Sequence, residues 1–209
     1  MKQIVPFAAA LLMIGLAHAG QEKTAQEGGE KKKKMGTRPP VSVTYHVAAG
    51  IDAKDRDSLG AALMNVKSVK SALIDAQGDS VTVQFDSHVV SYHQVAQAIV
   101  DAGAQAGRKY APSLKVRVPD YAKADNAGKV DAIFAGKRLN QRVRLEPTDK
   151  TKGEFVLRFL PLELDPSNPA PQGFNGGHLN HPIHDAPPRG LGLQFIYVGE
   201  SESRKGSAK

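Results

Sequence analysis

The chain has no cysteine and no tryptophan among its 209 residues, and aromatic residues make up only 6% of it. Without cysteine there can be no disulfide, no thiolate nucleophile and no thiolate metal ligand, so any core has to hold by packing alone. The roughly 190 residues that follow position 19 are enough for that. Long apolar runs are scarce as well. Beyond residue 19 nothing approaches the roughly 20 apolar residues that a membrane helix needs, so no membrane span is expected. Also missing are a Gly-x-Ser-x-Gly elbow, a His-Glu-x-x-His helix and a phosphate-cradling glycine loop, which leaves no recognisable catalytic apparatus and points away from an enzyme.

The first apolar run has a different meaning. Lys2 gives a positive start, Ile4 to Leu16 is apolar apart from Pro6 and Gly15, and Ala17-His18-Ala19 places small residues at both positions that a signal peptidase reads. That run has the length of a signal core and is too short to cross a bilayer, so residues 1–19 are expected to be a cleaved export signal, with cutting near Ala19 and a periplasmic or secreted product. Residues 20–40 are nearly devoid of apolar side chains, carry the run Lys31–Lys34 and end in Pro39-Pro40, which is the composition of a disordered basic linker. Residues 201–209 form a second polar tail.

Between these ends the charge is uneven. Residues 41–107 hold four Lys/Arg against seven Asp/Glu, whereas residues 108–158 hold thirteen against six. An acidic first unit, 41–110, is followed by a basic second one, 111–200, and opposite signs favour docking of the two.

The periodicity supports an α+β fold. Val41, Val43, Tyr45 and Val47 alternate with polar residues as a half-buried strand, and Asp55 to Leu63 has helical spacing. Val69 to Asp75, a turn at Ala76-Gln77-Gly78-Asp79, and the alternating Val81, Val83 and Phe85 read as a hairpin. Ser91 caps a helix carrying Val95, Ala96, Ile99 and Val100, and Gly103 is expected to stop it. A short strand beyond Gly103 completes βαββαβ, the ferredoxin-like plan. The second unit follows a degenerate form of the same plan, with strands at Leu114–Val118, Val143–Leu145, Phe155–Leu164 and Leu191–Val198 and a helix within 123–137. A Pro-, Gly- and His-rich loop of about 25 residues stands where its second helix belongs, and loops that long are usually functional or disordered.

Residues 41–107 resemble the heavy-metal-associated domain, on Gly50-Ile51 after the first strand, Asn65-Val66-Lys67-Ser68-Val69 between helix and second strand, and Val81-Thr82-Val83-Gln84-Phe85-Asp86 with the helix that follows. The resemblance implies a soft metal held by two cysteines in the loop that opens the first helix. Here that loop is Gly50-Ile51-Asp52-Ala53-Lys54-Asp55-Arg56 and contains no sulfur, so the fold carries over and the dithiol site does not. The implied role is a non-catalytic binding protein acting in protein or ligand interaction.

Two other groups of residues are candidates for binding. His178, His181 and His184 are spaced by three, with Asp185 beside them. Neutral imidazoles are good ligands for Zn(II), Cu(II) or Ni(II), and Asp185 could complete the shell or orient a histidine; the plainer reading is a polar surface loop with no metal. Lys115, Arg117, Arg142 and Arg144 alternate with apolar residues and could share one sheet face, suited to an envelope protein or an anionic polymer. Nucleic acid is not expected there, because no aromatic residue alternates with the charges to stack bases. His46, His88 and His93 are scattered, and surface histidines explain them as well as a shared site does.

Overall fold

The structure, a computed structural model, describes residues 39–200. The expected export signal, nearly all of the basic linker and the polar tail lie outside the described residues. The chain folds as α+β, with a seven-stranded antiparallel sheet and helices on one of its faces.

The first βαββαβ circuit follows its sequence closely. In β1 (Val41–Val47), Val43, Tyr45 and Val47 are buried while the residues between them stay half-exposed. Helix α1 (Arg56–Met64) buries Leu59 and Leu63, one turn apart. The hairpin of β2 (Val69–Ile74) and β3 (Ser80–Phe85) turns at Gly78, and Val81, Val83 and Phe85 are fully buried. Helix α2 (Tyr92–Gln105) begins with a capping box: the Ser91 hydroxyl accepts from the Gln94 N–H, and the Gln94 side chain accepts from the Ser91 N–H. Strand β4 (Pro112–Arg117) closes the circuit.

Gly103 does not stop α2. The helix continues to Gln105, and the residue with left-handed backbone is Gly107, at φ 69°. What Gly103 supplies is room, because a Cβ there would lie 2.5 Å from Cδ2 of Tyr110. The glycine was legible as a break in the helix and functions instead as a socket for an aromatic ring.

The second circuit starts on the same strand that ends the first. After β4 come α3 (Asn126–Phe134), the single turn α4 (Lys137–Asn140), β5 (Val143–Asp149), β6 (Glu154–Phe159), α5 (Gly177–His184) and β7 (Ile196–Tyr197). The sheet order is β2-β3-β1-β4-β6-β5, with β7 also paired to β4. Each circuit alone has the ferredoxin-like order, but no separate short strand follows Gly103, because β4 is both the last strand of one and the first of the other. This sharing also shortens β7. Along one edge of β4, Pro112 and Ser113 pair with Val47 and His46, so the last strand is confined to the far end, where Val116 and Arg117 pair with Tyr197 and Ile196 and the Val198 N–H bonds the Lys115 carbonyl. The expected strand over 191–198 is therefore two residues long.

The Pro- and His-rich stretch is not wholly irregular. Leu179 and Ile183, four residues apart and both fully buried, fix α5 against the core despite Pro182 inside it. Register places Tyr45, Leu114, Leu157 and Leu145 on one side of the sheet, where they share a single core with Leu59, Ile99, Val130 and Leu179. The opposite side carries Thr44, His46, Lys115, Arg117, Arg144 and Arg158.

Replacing Gly103 by Ala should lower stability by about 1–3 kcal/mol through overpacking against Tyr110. Gly60→Ala, in α1 where a Cβ meets nothing within 4 Å, should instead raise it by about 0.5–1 kcal/mol. Urea unfolding of both variants beside the wild type checks the pair.

Candidate functional site

The loop to which the family resemblance assigns metal is closed by ion pairs. Gly50 turns the chain with left-handed backbone at φ 69°, Ile51 is buried, and its N–H bonds the Gly78 carbonyl at 2.7 Å. One 3-10 turn, Ala53–Asp55, leads into α1. Arg108, from the turn after α2, pairs with Asp52 and, through Nε at 3.0 Å, with Asp55. The Tyr110 hydroxyl lies 3.4 Å from the same Asp55 oxygen, and burial followed by that carboxylate raises its pKa. A guanidinium cannot ligate a cation, and here it engages both carboxylates of the loop. The residues present do not fit a soft metal.

The α5 histidines do not form a site either. On an α-helix each step of three residues turns by about 60°, so His178, His181 and His184 fan around the helix. Among the described residues no three His, Cys, Asp or Glu side chains are placed to hold a metal ion. His178 is exposed but engaged by its neighbours, with Nδ1 2.8 Å from the Asn175 backbone nitrogen and Nε2 3.0 Å from Nη1 of Arg142. A neutral imidazole has one bare nitrogen, so only one of these approaches can be a hydrogen bond, and no lone pair is left for a metal. Burial, then Arg142, lowers the His178 pKa. His181 faces Asp185 instead, Nδ1 to Oδ2 3.4 Å. Helical geometry therefore turns the three imidazoles to different sides.

The basic strand residues are brought together in part. Lys115 and Arg117 on β4, Arg144 on β5 and Arg158 on β6 all lie on the open side of the sheet and are exposed. Arg144 and Arg158 stand directly opposite each other, and Nε of Arg158 is drawn to Glu146 at 2.8 Å. Arg142 is separated from this group because it precedes β5 and reaches His178. His46 joins the face, its pKa lowered by burial and then by Lys115.

One residue reached only in part from sequence is His93. It is 1% exposed and forms a clamp between α2 and the long connection after β6. Nε2–H donates to the Leu160 carbonyl at 2.6 Å, and Nδ1 accepts from the Phe174 N–H at 3.4 Å. Its ring packs on Phe159, 5.2 Å between centroids, and its own N–H bonds the Phe174 carbonyl. Gly173 has left-handed backbone at φ 79°, and a Cβ there would come within 2.7 Å of Nδ1. The same segment is tied by the Ser91 hydroxyl donating to the Gln172 carbonyl and by the Asn175 side chain donating to the Ser87 carbonyl at 2.6 Å. Burial is the main cause of the lowered His93 pKa. A possible site shared by His88 and His93 gives way to a core histidine with both nitrogens in use. The signal available in the sequence was the placement of His93 one turn before the buried Ala96.

Neither a protein-family model nor a curated protein matches the chain. Among solved structures, it is similar to the water-soluble region of the P-type ATPase CopA from Bacillus subtilis, at 16% identity and a TM-score of 0.34, covering 81% of this chain and 99% of that one. A second structure, of the N-terminal soluble domains of Bacillus subtilis CopA, is 14% identical with a TM-score of 0.30, covering 79% and 99%. Among the described residues no helix is long and apolar enough to cross a membrane.

Two outcomes are expected. Calorimetric titration with Zn(II) or Cu(II) should give equal, weak heats for the wild type and for His178→Ala/His181→Ala/His184→Ala. Stability should be fully retained above the ordinary histidine pKa of 6.5 and fall as pH drops below it, because His93 is held neutral in the fold while the unfolded chain takes up a proton. Denaturation at a series of pH values should show this slope, and His93→Asn should flatten it while lowering stability at neutral pH by about 1–3 kcal/mol for an unsatisfied buried group.

Proposed function

We propose that this chain is an exported, non-catalytic binding module with a heavy-metal-associated-like fold, and that it engages an acidic partner protein through the open face of its sheet. The observation that carries the reading is the grouping of Lys115, Arg117, Arg144 and Arg158 on three adjacent strands. Glu146, Asp149 and Glu154 are the acids in register with them, so the group keeps a small excess of positive charge. Among the described residues, helices cover the other side of the sheet, and the open side is left to interact.

Physical chemistry favours an acidic protein surface over a metal. The loop corresponding to the dithiol is occupied by its own Asp52–Arg108–Asp55 pairs. The cations on the open face are arranged across a rigid ladder, and arginine in such a place can meet carboxylates with two parallel hydrogen bonds. Export is part of the proposal because of the apolar run and the Ala17-His18-Ala19 site.

Polyglutamate is a suitable probe of the face. Fluorescence anisotropy should show binding that weakens as salt rises, and Lys115→Glu/Arg117→Glu should lower affinity by about tenfold or more, equivalent to ~1.4 kcal/mol. Unchanged affinity in that variant would count against the open face. Terminal sequencing of the protein recovered from the cell envelope or medium should begin at Gly20; an intact Met1 there would remove export from the reading.

A further inference from the structure

The two outer edges of the sheet are built differently. At one edge, β5 carries Pro147, which has no N–H to offer a further strand, together with Glu146 and the adjoining Lys150. At the other edge, β2 pairs among the described residues with β3 alone and contains no proline. Leu73, next to its C-terminal end, is 68% exposed, and Met64, at the end of the helix packed on β2, is 48% exposed. Such an edge is normally charged, bulged or covered. A bulge is present, but it lies at Lys70, between Val69 and Ser71, and leaves Ser71–Ile74 regular.

The hydrogen-bond phase of that regular segment is determined. The Asp75 N–H bonds the Ser80 carbonyl, and Leu73 lies opposite Thr82 and Ser71 opposite Gln84. In an antiparallel ladder the residues between, Ala72 and Ile74, turn their N–H and C=O groups outward. Two copies of this edge are complementary. Antiparallel pairing centred on Leu73 sets Ala72 of one copy against Ile74 of the other, twice, so that all four outward pairs of groups find partners. Leu73 then meets Leu73 of the second copy on the open face, at the closer, non-hydrogen-bonded spacing where side chains touch. Ser71 falls opposite Asp75, and the cationic end with Lys67 and Lys70 lies beside the acidic end with Asp75. A parallel arrangement would instead set like charges together.

We propose that two copies of this chain pair antiparallel through β2 around Leu73, extending the sheet across a two-fold axis and placing two open faces side by side. This is independent of what the open face binds. Sedimentation velocity on the purified protein over a concentration series should show a monomer–dimer equilibrium. Leu73→Lys, at an exposed position where folding is checked by circular dichroism, should raise the dimer dissociation constant by about tenfold or more. Lys70→Glu, which sets two acids together at each end, should raise it as well. A protein that is monomeric at every concentration overturns the proposal, and so does a dimer that survives both substitutions.

Discussion

Strand β4 has to satisfy two circuits with one backbone. Its one edge is given to β6 along its length, and its other edge is divided between β1 at Pro112–Ser113 and β7 at Val116–Arg117. Because each backbone group can take part in one ladder bond in the sheet plane, β1 and β7 cannot both run full length against it. β1 pairs along β3 instead, and the chain after β7 fills the space where β1 and β4 part, with the Thr44 hydroxyl donating to the Gly199 carbonyl. The continuous sheet, the single core and the short last strand all follow from this shared strand.

The long connection after β6 is held by a second constraint, the polar collar at the start of α2. A helix begins with N–H groups that lack partners, and a buried start is costly unless they are met. Ser91 and Gln94 meet them and also hold the incoming segment, since the Gln94 side chain accepts from the Gln172 N–H at 3.1 Å. His93 adds two more bonds and Phe174 a buried ring, which stacks edge-on with Tyr92 and Phe159. A stretch of Pro, Gly and polar residues with little intrinsic structure is ordered in this way by a few groups on one helix. The histidine at its centre is consumed by that role, as His178 is by Asn175 and Arg142.

The charges are divided accordingly. At the ends of the helices they pair internally, Arg108 with Asp52 and Asp55 and His181 with Asp185. On the open sheet face they do not fully cancel, and Lys115, Arg117 and Arg144 remain exposed there. The acidic and basic units seen along the sequence are therefore not two bodies docked by opposite charge. They are joined by backbone hydrogen bonds through β4, which leaves the cations of the second circuit free to face outward.

Period and punctuation made most of the elements legible. The alternation of β1 and β3, the capping box of α2 and the i,i+4 pair of α1 are local patterns that remain true in the fold, and the absence of cysteine alone removed the dithiol chemistry of the family that the first circuit resembles. The basic residues at 115, 117 and 144 were readable as one face because a strand repeats every two residues. Tertiary structure decided the rest. It merged two expected strands into β4, converted Gly103 from a stop into a socket for Tyr110, and wound the His178–His184 stretch into a helix anchored by Leu179 and Ile183, which spread the three imidazoles apart. It also drew His93 into the core. Each of these outcomes depends on a partner distant along the chain, and periodicity within a segment carries no information about which distant groups will meet it.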